Sequence, residues 1–123
     1  GELAMTLPIP TEASEQMAFV QWLRLKGLRF WRTPNETYTK SWHQKALNKA
    51  LGVQAGIPDL FVVLPPPQGR VIAVEMKRTK GGVTSPAQKE WLTNLAEAGI
   101  ASTVARGANE AITFVENELR RTT

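Results

Sequence analysis

Two apolar runs joined by a loop that can only turn constrain this chain more than any other feature. Asp59 to Leu64 (DLFVVL) is apolar and rich in branched side chains, the composition of a buried strand. Val71 to Arg78 (VIAVEMKR) opens with four apolar residues and reads as a second strand. Between them, Pro65-Pro66-Pro67-Gln68-Gly69 cannot extend either run. So short a loop makes the two strands an antiparallel hairpin. Whatever else the chain does, it must build a sheet around this hairpin.

The flanking sequence supplies helices and two more strands. Thr11 is an N-cap candidate after Pro10, with Glu12 and Glu15 in the first turn. Met17, Val20 and Leu23 then recur at helical spacing up to Gly27. Leu28 to Thr33 reads as a short strand. Ser41-x-x-Gln44 is a capping-box pattern, and Leu47, Ala50 and Leu51 follow at helical spacing. Ser85-Pro86-Ala87-Gln88 starts a helix with Trp91, Leu92 and Leu95 as its buried stripe. Ile100 to Ala105 reads as a strand. Asn109 then caps a last helix with Ile112, Val115 and Leu119 facing inward. The expected fold is α/β: a central mixed sheet of about four strands flanked by helices, in the order α-β-β-β-α-β plus a C-terminal helix, with a short helix inserted after the first strand. Gly1 to Ala4 precede Met5 and read as a cloning remnant, leaving residues 5–123 as a single domain.

The strand 71–78 breaks its own apolar pattern. Glu75 and Lys77 flank Met76, and alternation points both to one face while Val74 and Met76 turn into the core. Asp59 opens the partner strand, so the hairpin sets it beside Glu75. Two neighbouring carboxylates raise each other's pKa unless a cation lies between them. A hard divalent ion with oxygen ligands, such as Mg²⁺, resolves that conflict and brings Lewis-acid chemistry to a phosphoryl oxygen and a water. Lys77 would orient that water and offset developing negative charge. The plainer alternative is an ordinary ion pair at a strand end, which contributes little when exposed.

Charge distribution points the same way. Residues 24–89 hold twelve of the fifteen Lys/Arg but only three acids, Glu36, Asp59 and Glu75. A basic middle suits a polyanion such as nucleic acid, although a solvated basic face reads equally well from charge alone. The chain has no cysteine, which rules out disulfides, thiolate metal sites and cysteine nucleophiles and suits a reducing cytoplasm. No apolar run approaches the ~18–20 residues that span a bilayer.

Pro58-Asp59 followed by Glu75-Met76-Lys77 resembles the PD-(D/E)XK nuclease signature. Gly56-Ile57-Pro58-Asp59-Leu60, then Glu75-Met76-Lys77, then Ser85-Pro86-Ala87-Gln88 with Trp91 downstream is similar to the virus-type replication–repair nuclease (VRR-NUC) domain. The resemblance runs from about Glu15 to Glu118. It implies a restriction-endonuclease-like core, a divalent metal (Mg²⁺, with Mn²⁺ a plausible substitute) and phosphodiester hydrolysis. It further implies that Asp59, Glu75 and the main-chain carbonyl of Met76 hold the metal, and that Lys77 is the catalytic lysine. Glu15 would complete the acidic cluster from the first helix, and Gln88 would be the supporting glutamine. Both also have simpler readings: Glu15 complements a helix dipole, and Gln88 closes the capping box with Ser85.

Arg32, Lys45, Arg78 and Lys80, with Arg24 and Lys49, are candidate phosphate contacts that would bind largely without regard to sequence. His43 is a loop histidine or a DNA contact. Trp22 and Trp91 read as core, whereas Trp31 and Trp42 either stack on exposed bases or pack across a subunit interface.

VRR-NUC domains standing alone at this length resemble Holliday-junction resolvases. The resemblance therefore implies a homodimer acting on branched DNA in a bacterial or phage setting. Two alternatives compete with it. One is a non-catalytic DNA-binding subunit, and the other is a nuclease on different substrates (flap, restriction-type or RNA).

Overall fold

In the computed structural model the residues described are 7–34 and 40–121. The remnant reading of Gly1 to Ala4 and the segment 35–39 lie outside them. Four strands form one sheet in the order β1 (Arg29–Arg32), β2 (Leu60–Leu64), β3 (Arg70–Lys77), β4 (Ser102–Arg106). β1–β2 and β2–β3 are antiparallel and β3–β4 is parallel. This is the mixed sheet expected from the sequence, and the hairpin sits at its centre.

Alternation divides β2 and β3 between two faces. Leu60, Val62 and Leu64 pair across the hairpin with Val74, Ile72 and Arg70. Leu60, Val62, Ile72, Val74 and Met76 are fully buried against α1 (Glu12–Leu25) and α4 (Ala108–Arg120). Helix α1 presents Phe19 and Leu23, one turn apart, to this core. Met17, expected in that stripe, is 65% exposed instead. It lies two residues from Phe19, a rotation of about 200° on a 3.6-residue turn. Helix α3 (Pro86–Glu97) packs near β4, burying Leu95 and, in part, Trp91 and Leu92.

Two further expectations are corrected. The last helix starts at Ala108 behind Gly107, not behind Asn109, and Asn109 is exposed. Gly107 has φ +94°, and a Cβ there would lie 2.8 Å from Thr79 Cγ2, so only glycine fits. The inserted helix, α2 (Trp42–Ala50), does form. Ser41 Oγ accepts from the Gln44 N–H as expected, and Gln44 Nε2 donates to Asn48 Oδ1 (2.7 Å) one turn on. Leu47 and Leu51 are exposed, and α2 buries no residue. Its helical spacing therefore reflects no contact with the core.

Candidate active site

The end of β3 is where the apolar core stops and charge begins. The hairpin register sets Leu60 opposite Val74; one step further sets Asp59 opposite Glu75. The Met76 N–H donates to Asp59 Oδ2 (2.7 Å), so the Asp59 side chain takes the place of a backbone acceptor in the ladder. The next step places Pro58 opposite Met76. Ala73 and Lys77 hydrogen-bond toward β4, so alternation turns the backbone groups of Met76 toward β2. A proline has no N–H to offer the Met76 carbonyl. The Pro-Asp pair thus ends the ladder, with one carboxylate engaged and one strand carbonyl lacking a ladder donor.

Glu75 is 2% exposed and Lys77 7%. Lys77 Nζ lies 3.6 Å from Glu75 Oε2 and donates to Gln88 Oε1 (3.1 Å). Gln88 Nε2 donates to Glu75 Oε2 (3.2 Å). The Gln88 oxygen also accepts from the Ser85 N–H (2.9 Å), closing the capping box of α3. The contact that starts the helix also fixes the amide between the acid and the lysine. Gly56 lets α3 come this close. Its φ is +84°, and a Cβ there would lie 2.5 Å from the Ala87 carbonyl carbon.

The carboxyl groups of Asp59 and Glu75 lie within hydrogen-bonding reach of each other. Burial, first, and then the hydrogen bond and charge of Asp59 push Glu75 up to about 8; the Lys77 charge opposes this and Glu12 adds to it. Such a pair either takes up a proton or needs a cation beside it to stay ionised. All the donors are oxygens, which fits a hard divalent ion. Asp59, Glu75 and the Met76 carbonyl would hold it. Among the described residues no three His, Cys, Asp or Glu side chains gather as a metal site, so solvent would fill the rest of such an ion's shell.

The first-helix acid that reaches this pair is Glu12, which lines a cleft of about 630 Å³ together with Asp59, Gln16, Arg24 and Arg32. Glu15 is engaged elsewhere. Its Oε1 accepts from the Ala108 N–H (3.2 Å), capping α4 from a distant part of the chain where Gly107 has no side chain to do so. In sequence the two acids stand in the same first turn and nothing local separates them. Only the approach of α4 does. A Glu15→Ala protein is expected to lose about 0.5–2 kcal/mol of stability, the range for a lost cap, read as a lower thermal midpoint. An unchanged midpoint with abolished cleavage would return Glu15 to the acid cluster.

The other expected contacts spread around this centre. Arg32 is exposed at the mouth of the cleft, and Arg78 and Lys80 are exposed just beyond β3. Arg106 ties down the loop that follows, donating to the carbonyls of Gly81 (2.7 Å) and Gly82 (3.2 Å). Lys45 and His43 are exposed on α2. Trp22 and Trp91 are half-buried, while Trp31 stacks on Phe61 across β1–β2 at 5.1 Å between ring centroids.

The family model described as VRR-NUC domain matches residues 7–109, a span that holds all of these groups. A solved structure described as a VRR_NUC domain protein is similar in fold. Its TM-score is 0.75, covering 93% of this chain and 92% of its own at 24% sequence identity. The curated proteins offer no match.

Proposed function

The chain belongs to the VRR-NUC domain family, and from that premise we propose that it is a divalent-metal-dependent endonuclease that cuts branched or otherwise structured DNA, as residues 5–123 of a single domain. The observation that carries this reading is the acid pair of half-buried Asp59 and buried Glu75 within the basic stretch, with Lys77 held beside it by Gln88. A bound divalent ion, Mg²⁺ or Mn²⁺, would supply positive charge against the phosphate oxygens. Lys77 would orient the attacking water and offset charge as the phosphorus–oxygen bond breaks. Gln88 would keep the ammonium on the acid pair. Arg24, Arg32, Lys45, Lys49, Arg78 and Lys80 are exposed, and would hold a backbone by its phosphates rather than read base edges. No helix among the described residues is long and apolar enough to cross a membrane.

Paired cuts across a branch need two sites, and one domain carries one, so we take the working form to be a homodimer. The half of the sheet face that bears Trp31 and Phe61 is only partly covered, which leaves room for a second copy. A Holliday junction, a flap, a linear duplex and an RNA duplex, each incubated with Mg²⁺ and with EDTA, would test the reading. Cleavage of the branched probes, junction and flap, ahead of the linear duplex, and only with Mg²⁺, is expected. Cleavage that persists in EDTA, or an RNA preference, would overturn it. Binding without any cleavage would favour a DNA-binding subunit.

A further inference from the structure

Every long helix but one presents a face to the core. Helix α2 buries nothing, yet carries the most exposed tryptophan of the described residues: Trp42 is 82% exposed. Successive helical residues are about 100° apart, so Trp42, Lys45 and Lys49 fall in one stripe. Lys45 Nζ lies 5.4 Å from the centroid of the Trp42 ring. One side of the indole thus has a cation above it, while most of the ring stays open to solvent. Residues 37–58 contain Lys40, Lys45, Lys49 and His43 and no acid. The chain runs from α2 straight to the active centre, and Gln54, Gly56, Ile57, Asp59 and Gln88 line a shared pocket there.

An aromatic ring beside lysines, on a helix that carries no acid, has the chemistry of a surface for unpaired nucleic acid. Stacking needs a base whose face is free, which a continuous duplex does not offer. The lysines would neutralise flanking phosphates. We propose that the Trp42–Lys45–Lys49 face of α2 binds unpaired DNA beside the cut, so that the enzyme prefers substrates with a single-stranded segment adjoining the scissile phosphate. The proposal rests on the nuclease reading above and narrows its substrate class.

The test is binding by the full chain, measured by fluorescence anisotropy with Ca²⁺ in place of Mg²⁺ so that cleavage does not intrude. The probes are labelled oligothymidylate, a blunt duplex and the same duplex with a single-stranded tail. Trp42→Ala should weaken binding to oligothymidylate and the tailed duplex by about tenfold, the share of one stacked base, and leave the blunt duplex unchanged. Trp42→Phe should retain most of the affinity. Lys45→Ala/Lys49→Ala should weaken all three probes and reduce the salt dependence. Equal binding by wild type and Trp42→Ala overturns the proposal. So does a loss on all probes that accompanies a change from dimer to monomer in light scattering, which would make this face a subunit contact. Mg²⁺-dependent cleavage by the wild type is scored separately. A protein that binds tailed DNA through Trp42 but cuts nothing would sink the nuclease reading, and with it the substrate preference, and leave the α2 face as a contact for unpaired DNA.

Discussion

Lys77→Ala is expected to lower DNA cleavage by at least about 10²–10³-fold, the usual loss for a group that stabilises transition-state charge, while DNA stays bound. The ammonium is nearly enclosed, 3.1 Å from the Gln88 oxygen and 3.6 Å from Glu75, so on the proposed reading it would act at the reacting phosphate more than in capturing the duplex. Capture would fall to the exposed cations around it. Lys77→Arg should not restore the rate, because a flat five-donor fork does not fit where a compact ammonium sits between an amide and a carboxylate. Single-turnover cleavage and anisotropy on the same junction, with Mg²⁺ and with Ca²⁺ respectively, separate the two effects. Loss of binding in proportion to loss of rate would make Lys77 a phosphate anchor.

Glu75→Gln is expected to produce a protein that is more stable without metal, and inactive with it. Glu75 ionises at about 8 in the folded chain against an ordinary value of 4.5. Between those values the folded state holds a proton that the unfolded state has released. Stability of the metal-free protein therefore falls as pH rises through that interval, by up to about 1.4 kcal/mol per pH unit. Below it this group costs nothing; above it the penalty is complete. A glutamine cannot ionise, so the slope should vanish and the variant should outlast its parent in alkaline buffer without metal. A divalent cation compensates the ionised pair directly. Mg²⁺ or Mn²⁺ should therefore raise the thermal midpoint of the parent in alkaline buffer and leave Glu75→Gln unmoved. Thermal denaturation across this pH range, with cation and with EDTA, checks all of this. A flat pH profile for the parent, or equal stabilisation of both proteins by the cation, would show that the pair does not hold an ion.

The site residues differ in how far local sequence announces them. Asp59, Glu75 and Lys77 are legible because a two-residue strand period and one short loop fix their relation. Gln88 is legible in part: the capping box foretells its backbone role, but its bridge to Glu75 needs α3 to land on the sheet, which Gly56 permits. Glu12 and Glu15 are the counter-case. They share a helical turn, a charge and a dipole, so no local signal can say which faces the acid pair.

Alternation, capping and turn chemistry act over a few residues, and they determined the hairpin, the four strands, the helix starts at Thr11 and Ser85, and the meeting of Asp59 with Glu75. Contacts between segments far apart in the chain have no such local rule. The tertiary structure alone therefore decided that α4 begins at Gly107 and takes its cap from Glu15, that Glu12 faces the cleft, and that α2 stands away from the core with Trp42 exposed. The reason is geometric. A period of 2 or 3.6 residues says which side chains share a face, but only the packing of whole elements says what that face meets.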